Sequence, residues 1–328
     1  MGDFQDKRIL VTGATGFLGS MLAQRFASEG GQVVVLARSN ESADAATAQG
    51  FEVARGDVTN RESLRRAMEN CAIVVHCAAS FGHPDDQRDV NVNGTRLVAE
   101  EVGFGGVRQL VYVSSIAVYG FARRGVVNET VAPTPGSYIY ARTKLGGENA
   151  IKEVAIHTGL NYTIVRPGMI YGPGSTRWTH DLFRYARRNP IIFSGDGSGS
   201  THPIYLDDVI DALVKVTGDE SLNGEIFNIS PDPAPTWREW LLQYARLAGH
   251  QNWVSVPPVL ARAGAGLVMG FASPASILRD LPELVDQFME KVTYSTAKAR
   301  ERLGWAPKVE LVEGVDRCVP YLREKGLL

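Results

Sequence analysis

Between Arg8 and Arg166, short runs of aliphatic and β-branched residues alternate with amphipathic stretches, and this alternation restricts the fold more than any other feature. Ile9-Leu10-Val11, Val33-Val34-Val35-Leu36, Phe51-Glu52-Val53, Ala72 to His76, Leu110 to Ser114 and Tyr162 to Arg166 read as strands. Phe17 to Ser28, Arg61 to Glu69, Val90 to Val102 and Tyr138 to His157 read as helices, and a polar stretch follows Leu36. Strands that are apolar almost throughout are buried on both faces, and helices between them supply the cover. The expected architecture is α/β, a doubly wound parallel sheet.

The pattern changes after Arg166, where Pro167, Gly168, Gly172, Pro173 and Gly174 crowd into eight residues. A helix is expected near 180–188 and another over Leu206 to Val216, with a strand over Glu225 to Ile229 placed to rejoin the sheet. The division this implies is a nucleotide domain of residues 1–166 plus about 203–230. A smaller, mostly helical C-terminal substrate lobe takes about 167–202 plus 231–328.

A formal charge of −2 gives no electrostatic pull toward nucleic acid. Basic pairs such as Arg65-Arg66, Arg123-Arg124 and Arg187-Arg188 are not interleaved with stacking aromatics, and read as solvated faces. Three cysteines without C-x-x-C spacing argue against a disulfide framework and against a bound metal, and suit a reducing cytoplasm. Charged residues run straight into the first strand, so no secretory signal is expected. The apolar stretch from Ala263 to Leu278 is too short and too broken by glycine and Pro274 to span a bilayer, so no membrane partner is expected.

Gly13-Ala-Thr15-Gly16-Phe17-Leu18-Gly19 lies between the first strand and the first helix. Glycines there permit a tight turn, close approach of backbone to a pyrophosphate and close packing of helix on sheet. The helix N-terminus then offers unpaired N–H groups to the phosphates. The loop residues Gly13, Thr15, Gly16, Phe17, Leu18 and Gly19 are therefore expected to contact a dinucleotide. The second strand ends Leu36-Ala37-Arg38-Ser39 with no carboxylate to read a ribose hydroxyl. Arg38 suits a 2′-phosphate, which favours NADP and leaves NAD as the alternative.

Tyr140-Ala-Arg-Thr-Lys144 puts a phenol and an ammonium one helical turn apart on one face. A nearby cation lowers the pKa of a phenol from near 10 toward the range where it exchanges protons at neutral pH. Ser114 and Ser115 close the strand that begins at Leu110, at the carboxyl end where open α/β sheets bind ligands. Alternation along the strand lets one of the two face the reacting group, where its hydroxyl meets developing charge on a substrate oxygen.

Taken together these residues resemble the extended short-chain dehydrogenase/reductases, in the branch called NAD-dependent epimerase/dehydratase. The resemblance also rests on Gly56-Asp57, His76-Cys-Ala-Ala79, Asn91-Val-Asn-Gly-Thr95, Arg166-Pro-Gly-Met-Ile-Tyr-Gly-Pro-Gly174, Pro203 to Val209, Gly224 to Ile229 and Lys298 to Pro307. It implies a Rossmann fold, catalysis by Ser115, Tyr140 and Lys144, and a homodimer built on the helices after residues 91 and 138. The serine at the family's position, 25 before the tyrosine, is Ser115. The resemblance places Asp57 and Val58 beside adenine, Ala78, Ala79 and Pro167 along the cofactor, and Asn91 in support of the site; Tyr140 and Lys144 also touch the cofactor. Departures from the family pattern narrow the reaction. Ile116-Ala117 replaces the Asp-Glu of the dehydratases. Met169 and Thr201 stand where sugar-nucleotide epimerases usually carry Asn and Arg. The apolar segment Val254 to Leu278 resembles the lobe of 3β-hydroxysteroid-dehydrogenase-like and dihydroflavonol-reductase-like members. The reaction expected is reversible hydride transfer between a ketone and a secondary alcohol on an apolar small molecule, with redox-neutral epimerisation of a sugar nucleotide as the alternative. His83, His180 and His202 lack metal-ligand spacing and read as cleft-lining or structural.

Overall fold

The computed structural model describes residues 4–120, 124–269, 285 and 288–328, and the chain divides into two compact units. The first unit holds residues up to Val118, Ile139–Arg166 and Ile210–Phe227. Its frame is a seven-stranded sheet of β1 (Arg8–Thr12), β2 (Gln32–Ala37), β3 (Glu52–Arg55), β4 (Ile73–His76), β5 (Gln109–Val113), β6 (Tyr162–Pro167) and β7 (Ile226–Ile229). Their order is β7-β6-β5-β4-β1-β2-β3, and the chain therefore reverses direction across the sheet between β1 and β4. The five strands β1, β2, β4, β5 and β6 are buried along nearly their whole length, which is why their sequences carry no polar alternation.

Around this sheet run α1 (Phe17–Ser28), α2 (Asn40–Ala48), α3 (Arg61–Ala67), α4 (Pro84–Arg88), α5 (Thr95–Gly105) and α6 (Ile139–Thr158). Helix α1 has the predicted limits. Helix α2 occupies the stretch read as merely polar; its apolar face is only Ala43 and Ala46, and a capping box between Ser39 and Ser42 starts it. The expected helix at Val90 to Val102 is two pieces, a π-helical turn over Asp89–Gly94 followed by α5. One core cluster, including Leu10, Val34, Leu64, Val98, Leu110 and Ile151, fills the space between the sheet and helices α3, α5 and α6.

The second unit comprises Tyr119–Tyr138, Pro167–Val209 and Asn228–Leu328. The sequence reading kept residues 119–138 with the nucleotide domain, and the structure places them here for two reasons. The strand Gly125–Val127 pairs in parallel with Val292–Tyr294, and the Tyr119 hydroxyl donates to Asn228 Oδ1 at 3.0 Å. Residues 203–209 and 228–230 also fall in this unit, because Pro203–Tyr205 pairs with Met169–Tyr171. A third ladder joins Ile191–Ser194 to Trp253–Val256, so the lobe carries strands as well as helices. Its core is aromatic, with Trp237, Trp240, Tyr244, Phe183 and Phe193 all buried. Of the apolar segment Val254 to Leu278, residues 270–278 lie outside the described residues, and Val259 and Leu260 in the part that is described are exposed. Among the described residues, no helix is long and apolar enough to cross a membrane.

Candidate active site

The glycine loop joins β1 to α1 with backbone in close contact. Gly13 has φ +73°, and a Cβ there would stand 2.6 Å from the Ala78 nitrogen. A Cβ on Gly19 would stand 2.3 Å from the Gly13 carbonyl oxygen, and Gly16 N donates to that same oxygen at 3.0 Å. Larger residues at 13 and 19 would push the loop off the sheet. Helix α1 starts at Phe17 with no side-chain cap and no acidic residue in its first turn. Its first N–H groups thus meet neither a cap nor a repelling carboxylate, the condition for receiving an anion. Thr15 is exposed, Phe17 and Leu18 are half-buried, and Ala78 and Ala79 follow β4 directly across from the loop. The close-packed glycines and the uncapped helix end fit a dinucleotide pyrophosphate.

At the end of β2, Arg38 is 74% exposed, with Nη1 3.8 Å from Asp57 Oδ2. The other carboxylate oxygen, Oδ1, accepts from Thr59 N and Thr59 Oγ1, both at 2.9 Å. Asp57 is thus locally anchored and Arg38 is tethered only loosely, while Val58 is buried beneath Gly94.

Beneath the loop lies a polar chain that links Thr12, His76, Thr95 and Asn91. Thr12 Oγ1 and His76 Nδ1 are 2.6 Å apart, and His76 Nε2 and Thr95 Oγ1 3.0 Å apart. Thr95 Oγ1 donates to the Asn91 carbonyl at 2.9 Å. Burial, and secondarily the charge of Lys144, push the His76 imidazole down to about 3, so it is neutral and bridges two hydroxyls. The Asn91 amide stands on the π-helical turn. Its Oδ1 accepts from Ser80 N at 2.7 Å, and its Nδ2 donates to Ser80 O and to Thr143 Oγ1, each at 3.0 Å.

Tyr140 and Lys144 both lie in the first two turns of α6. The Tyr140 ring is half-buried and stacks on Phe81 at a centroid distance of 4.5 Å. Lys144 is 1% exposed, and its Nζ stands 4.2 Å from the centroid of the Tyr112 ring on β5. Gly147 admits that ring, since a Cβ there would be 2.5 Å from the Tyr112 hydroxyl oxygen. Burial pulls Lys144 down to about 7, against the opposing pull of Cys77 and Glu148. Glu148 itself is turned away. It accepts from Arg166 Nε at 2.8 Å and Nη2 at 2.6 Å, and from Ser114 Oγ at 2.6 Å. The cation–π contact with Tyr112 supports the Lys144 charge alongside the pull of Glu148.

These bonds separate the two serines. Ser114 is buried and its hydroxyl donates to Glu148, pinning the end of β5 to α6. Ser115 is half-buried and its Oγ accepts from Ala117 N at 3.1 Å, which leaves the hydroxyl hydrogen to donate. Pro167 closes β6 one residue after Arg166. Each of the three histidines has a hydrogen-bond partner. His83 caps α4, His180 lies 3.0 Å from Asp181 Oδ1, and the buried His202 ring nitrogen Nε2 meets the Val292 carbonyl at 3.1 Å.

Residues 9–230 match the model of the NAD dependent epimerase/dehydratase family. The chain belongs to this family, within the extended short-chain dehydrogenase/reductases. It is 28% identical to a UDP-glucose 4-epimerase of Mycolicibacterium smegmatis, over 97% of this chain and 99% of that protein. It is 26% identical to a 4-hydroxy-2-methyl-3-oxo-4-farnesyl-3,4-dihydroquinoline-1-oxide ketoreductase of Stigmatella aurantiaca, over 97% and 96%. Its fold matches UDP-glucuronic acid 4-epimerase from Bacillus cereus in complex with NAD at a TM-score of 0.76, over 97% and 99% at 21% identity. NAD(P) is the family's cofactor, and the glycine loop has the shape to hold its pyrophosphate.

Proposed function

We propose that this protein is an NAD(P)-dependent oxidoreductase that interconverts a ketone and a secondary alcohol on an apolar small molecule. The observation that carries the reading is the placement of Lys144, buried one helical turn after Tyr140 on α6. An ammonium beside a phenol favours the phenolate, which is how Lys144 would ready Tyr140 for proton exchange. In the reducing direction Tyr140 gives its proton to the carbonyl oxygen and Ser115 donates a hydrogen bond to the same oxygen. Lys144 holds Tyr140 acidic and would donate to the ribose of a bound nicotinamide dinucleotide. The bound dinucleotide supplies or accepts the hydride. Its pyrophosphate would be held by Gly13, Thr15, Gly16, Phe17, Leu18 and Gly19, its adenine by Asp57 and Val58, and its central part by Ala78, Ala79 and Pro167, with Asn91 bracing the site.

NADP is the proposed cofactor, because Arg38 is exposed and Asp57, its partner, holds it at 3.8 Å only. An apolar substrate is favoured by the second unit, where Thr201 is buried and its hydroxyl is spent on the Met169 sulfur at 3.3 Å. Neither residue offers a diphosphate the contact that Asn and Arg would. A homodimer through α5 and α6 is also proposed; Phe104 and Ile156 on these helices are 76% and 80% exposed.

The test is a ketone and alcohol panel followed at the nicotinamide absorbance band with NADPH and NADH. Net cofactor oxidation by a ketone supports the reading. The epimerase relative favours a second reading, redox-neutral epimerisation of a sugar nucleotide with retained NAD. Conversion of UDP-glucose without net absorbance change, by protein that purifies with its cofactor, would establish that reading instead.

A further inference from the structure

The buried ammonium of Lys144 rests against an aromatic face, with Nζ 4.2 Å from the centroid of the Tyr112 ring. That ring has no room to turn away. Tyr112 is fully buried on β5, opposite His76 in the register with β4, and the two rings stack at 5.6 Å between centroids. Its hydroxyl oxygen occupies the space a Cβ on Gly147 would need and reaches toward the Lys144 carbonyl, 3.5 Å away. The ring is thus wedged between β4 and the first turns of α6. Of the titratable groups around the ammonium, His76 is neutral, because burial holds its imidazole down to about 3. Burial also keeps the Cys77 thiol protonated, pushing it up to about 12. Glu148 attracts the ammonium from its own helix but shares its charge with Arg166 and Ser114, and Tyr140 stands one turn earlier on α6.

We infer that Tyr112 is a positioning residue for the proposed hydride transfer, its ring face keeping Lys144 charged and fixing the ammonium one turn from Tyr140. The inference deepens the reading above and rests on it. The negative face of an aromatic ring attracts the ammonium and not the neutral amine, and the attraction is strongest where water is excluded. Reduction of a ketone needs Tyr140 as the phenol and Lys144 as the ammonium. A ring stripped of its electron density would let Lys144 lose its proton at a lower pH, and the rate of reduction would fall away at that lower pH. Because packing against His76 and Gly147 holds the ring in place, little of its effect is lost in ordering it.

Fluorine atoms on the ring withdraw its electron density and barely change its shape, so they separate charge support from packing. The experiment follows kcat/KM for the best ketone of the panel across pH 5.5 to 10, with the full-length protein and saturating NADPH. It compares the wild type, Tyr112→Phe, Tyr112→Leu and protein carrying trifluorophenylalanine at position 112. The expected result is a basic limb that lies roughly one pH unit lower in the trifluorophenylalanine protein and in Tyr112→Leu than in Tyr112→Phe, which keeps the ring face. Should Tyr112→Leu fail to fold, the comparison of phenylalanine with its fluorinated form decides alone. If the ring only fills space, those two proteins share one pH profile, which overturns the inference and leaves the hydride-transfer reading standing. A wild type that reduces no ketone with NADPH or NADH overturns that reading, and this inference falls with it.

Discussion

Lys144 is a charge kept in a place that disfavours charge. Its pKa falls from its usual 10.5 to about 7 because burial outweighs the pull of Cys77 and Glu148. A group whose folded pKa lies below its unfolded value binds fewer protons folded than unfolded between those two values. Stability contributed by this site therefore rises with pH from about 7 to 10.5 and is lost as pH falls to about 7. Lys144→Met, which keeps the stem and discards the ammonium, should be inactive yet melt several degrees above the wild type near pH 7. The gap should close as the pH approaches 10, and thermal melts across pH 6 to 10 measure it. Arg38 belongs to the same scale. Arg38→Ala should raise the KM for NADPH by roughly tenfold or more, as loss of a charge-assisted phosphate contact does, and leave the KM for NADH nearly unchanged. Equal effects on both cofactors would place Arg38 on the adenine face and not on a 2′-phosphate.

Among the elements, α6 is held by a charge pair that the sequence conceals. Glu148 and Arg166 are 0% and 1% exposed, and they join α6 to β6 while Ser114 joins the same carboxylate to the end of β5. Glu148→Gln leaves a buried guanidinium without its counter-charge and should cost about 3–5 kcal/mol in denaturant unfolding. Adding Arg166→Met to that variant should recover most of the loss. The strands β1, β2, β4, β5 and β6 were legible as nearly unbroken apolar runs, and helix α1 and the Leu206–Val216 helix by the helical period of their apolar residues. Helix α2 was not, since alanine alone makes its buried face. The short strands at 125–127, 253–256 and 292–294 were also missed. Each is three or four residues long, and Trp253–Val256 is mostly exposed, so no alternation betrays it. In the site, Gly13, Gly19, Tyr140 and Lys144 could be read because their chemistry fixes their spacing. Tyr112, Phe81 and the Glu148–Arg166 pair could not, because what they do depends on which strand lies beside which helix.

At the scale of the whole molecule, the proposed dimer makes a plain demand on α5 and α6. Phe104 stands exposed in a groove also lined by Arg96, Glu153 and His157, and Ile156 is exposed on α6. Ile156→Asp should shift the protein from twice the chain mass to 35.7 kDa in sedimentation, with cofactor binding retained. A wild type that sediments at the mass of one chain ends that proposal. The account as a whole turns on one hydroxyl. Tyr140→Phe removes the proposed proton donor, keeps the ring stacked on Phe81 and leaves the glycine loop untouched. The measurement that tests the account most directly is turnover of the best ketone by this variant, beside its titration with NADPH. The predicted result is cofactor affinity close to that of the wild type and kcat lower by about 10²–10⁴-fold. Turnover equal to the wild type, with the cofactor bound, would contradict it.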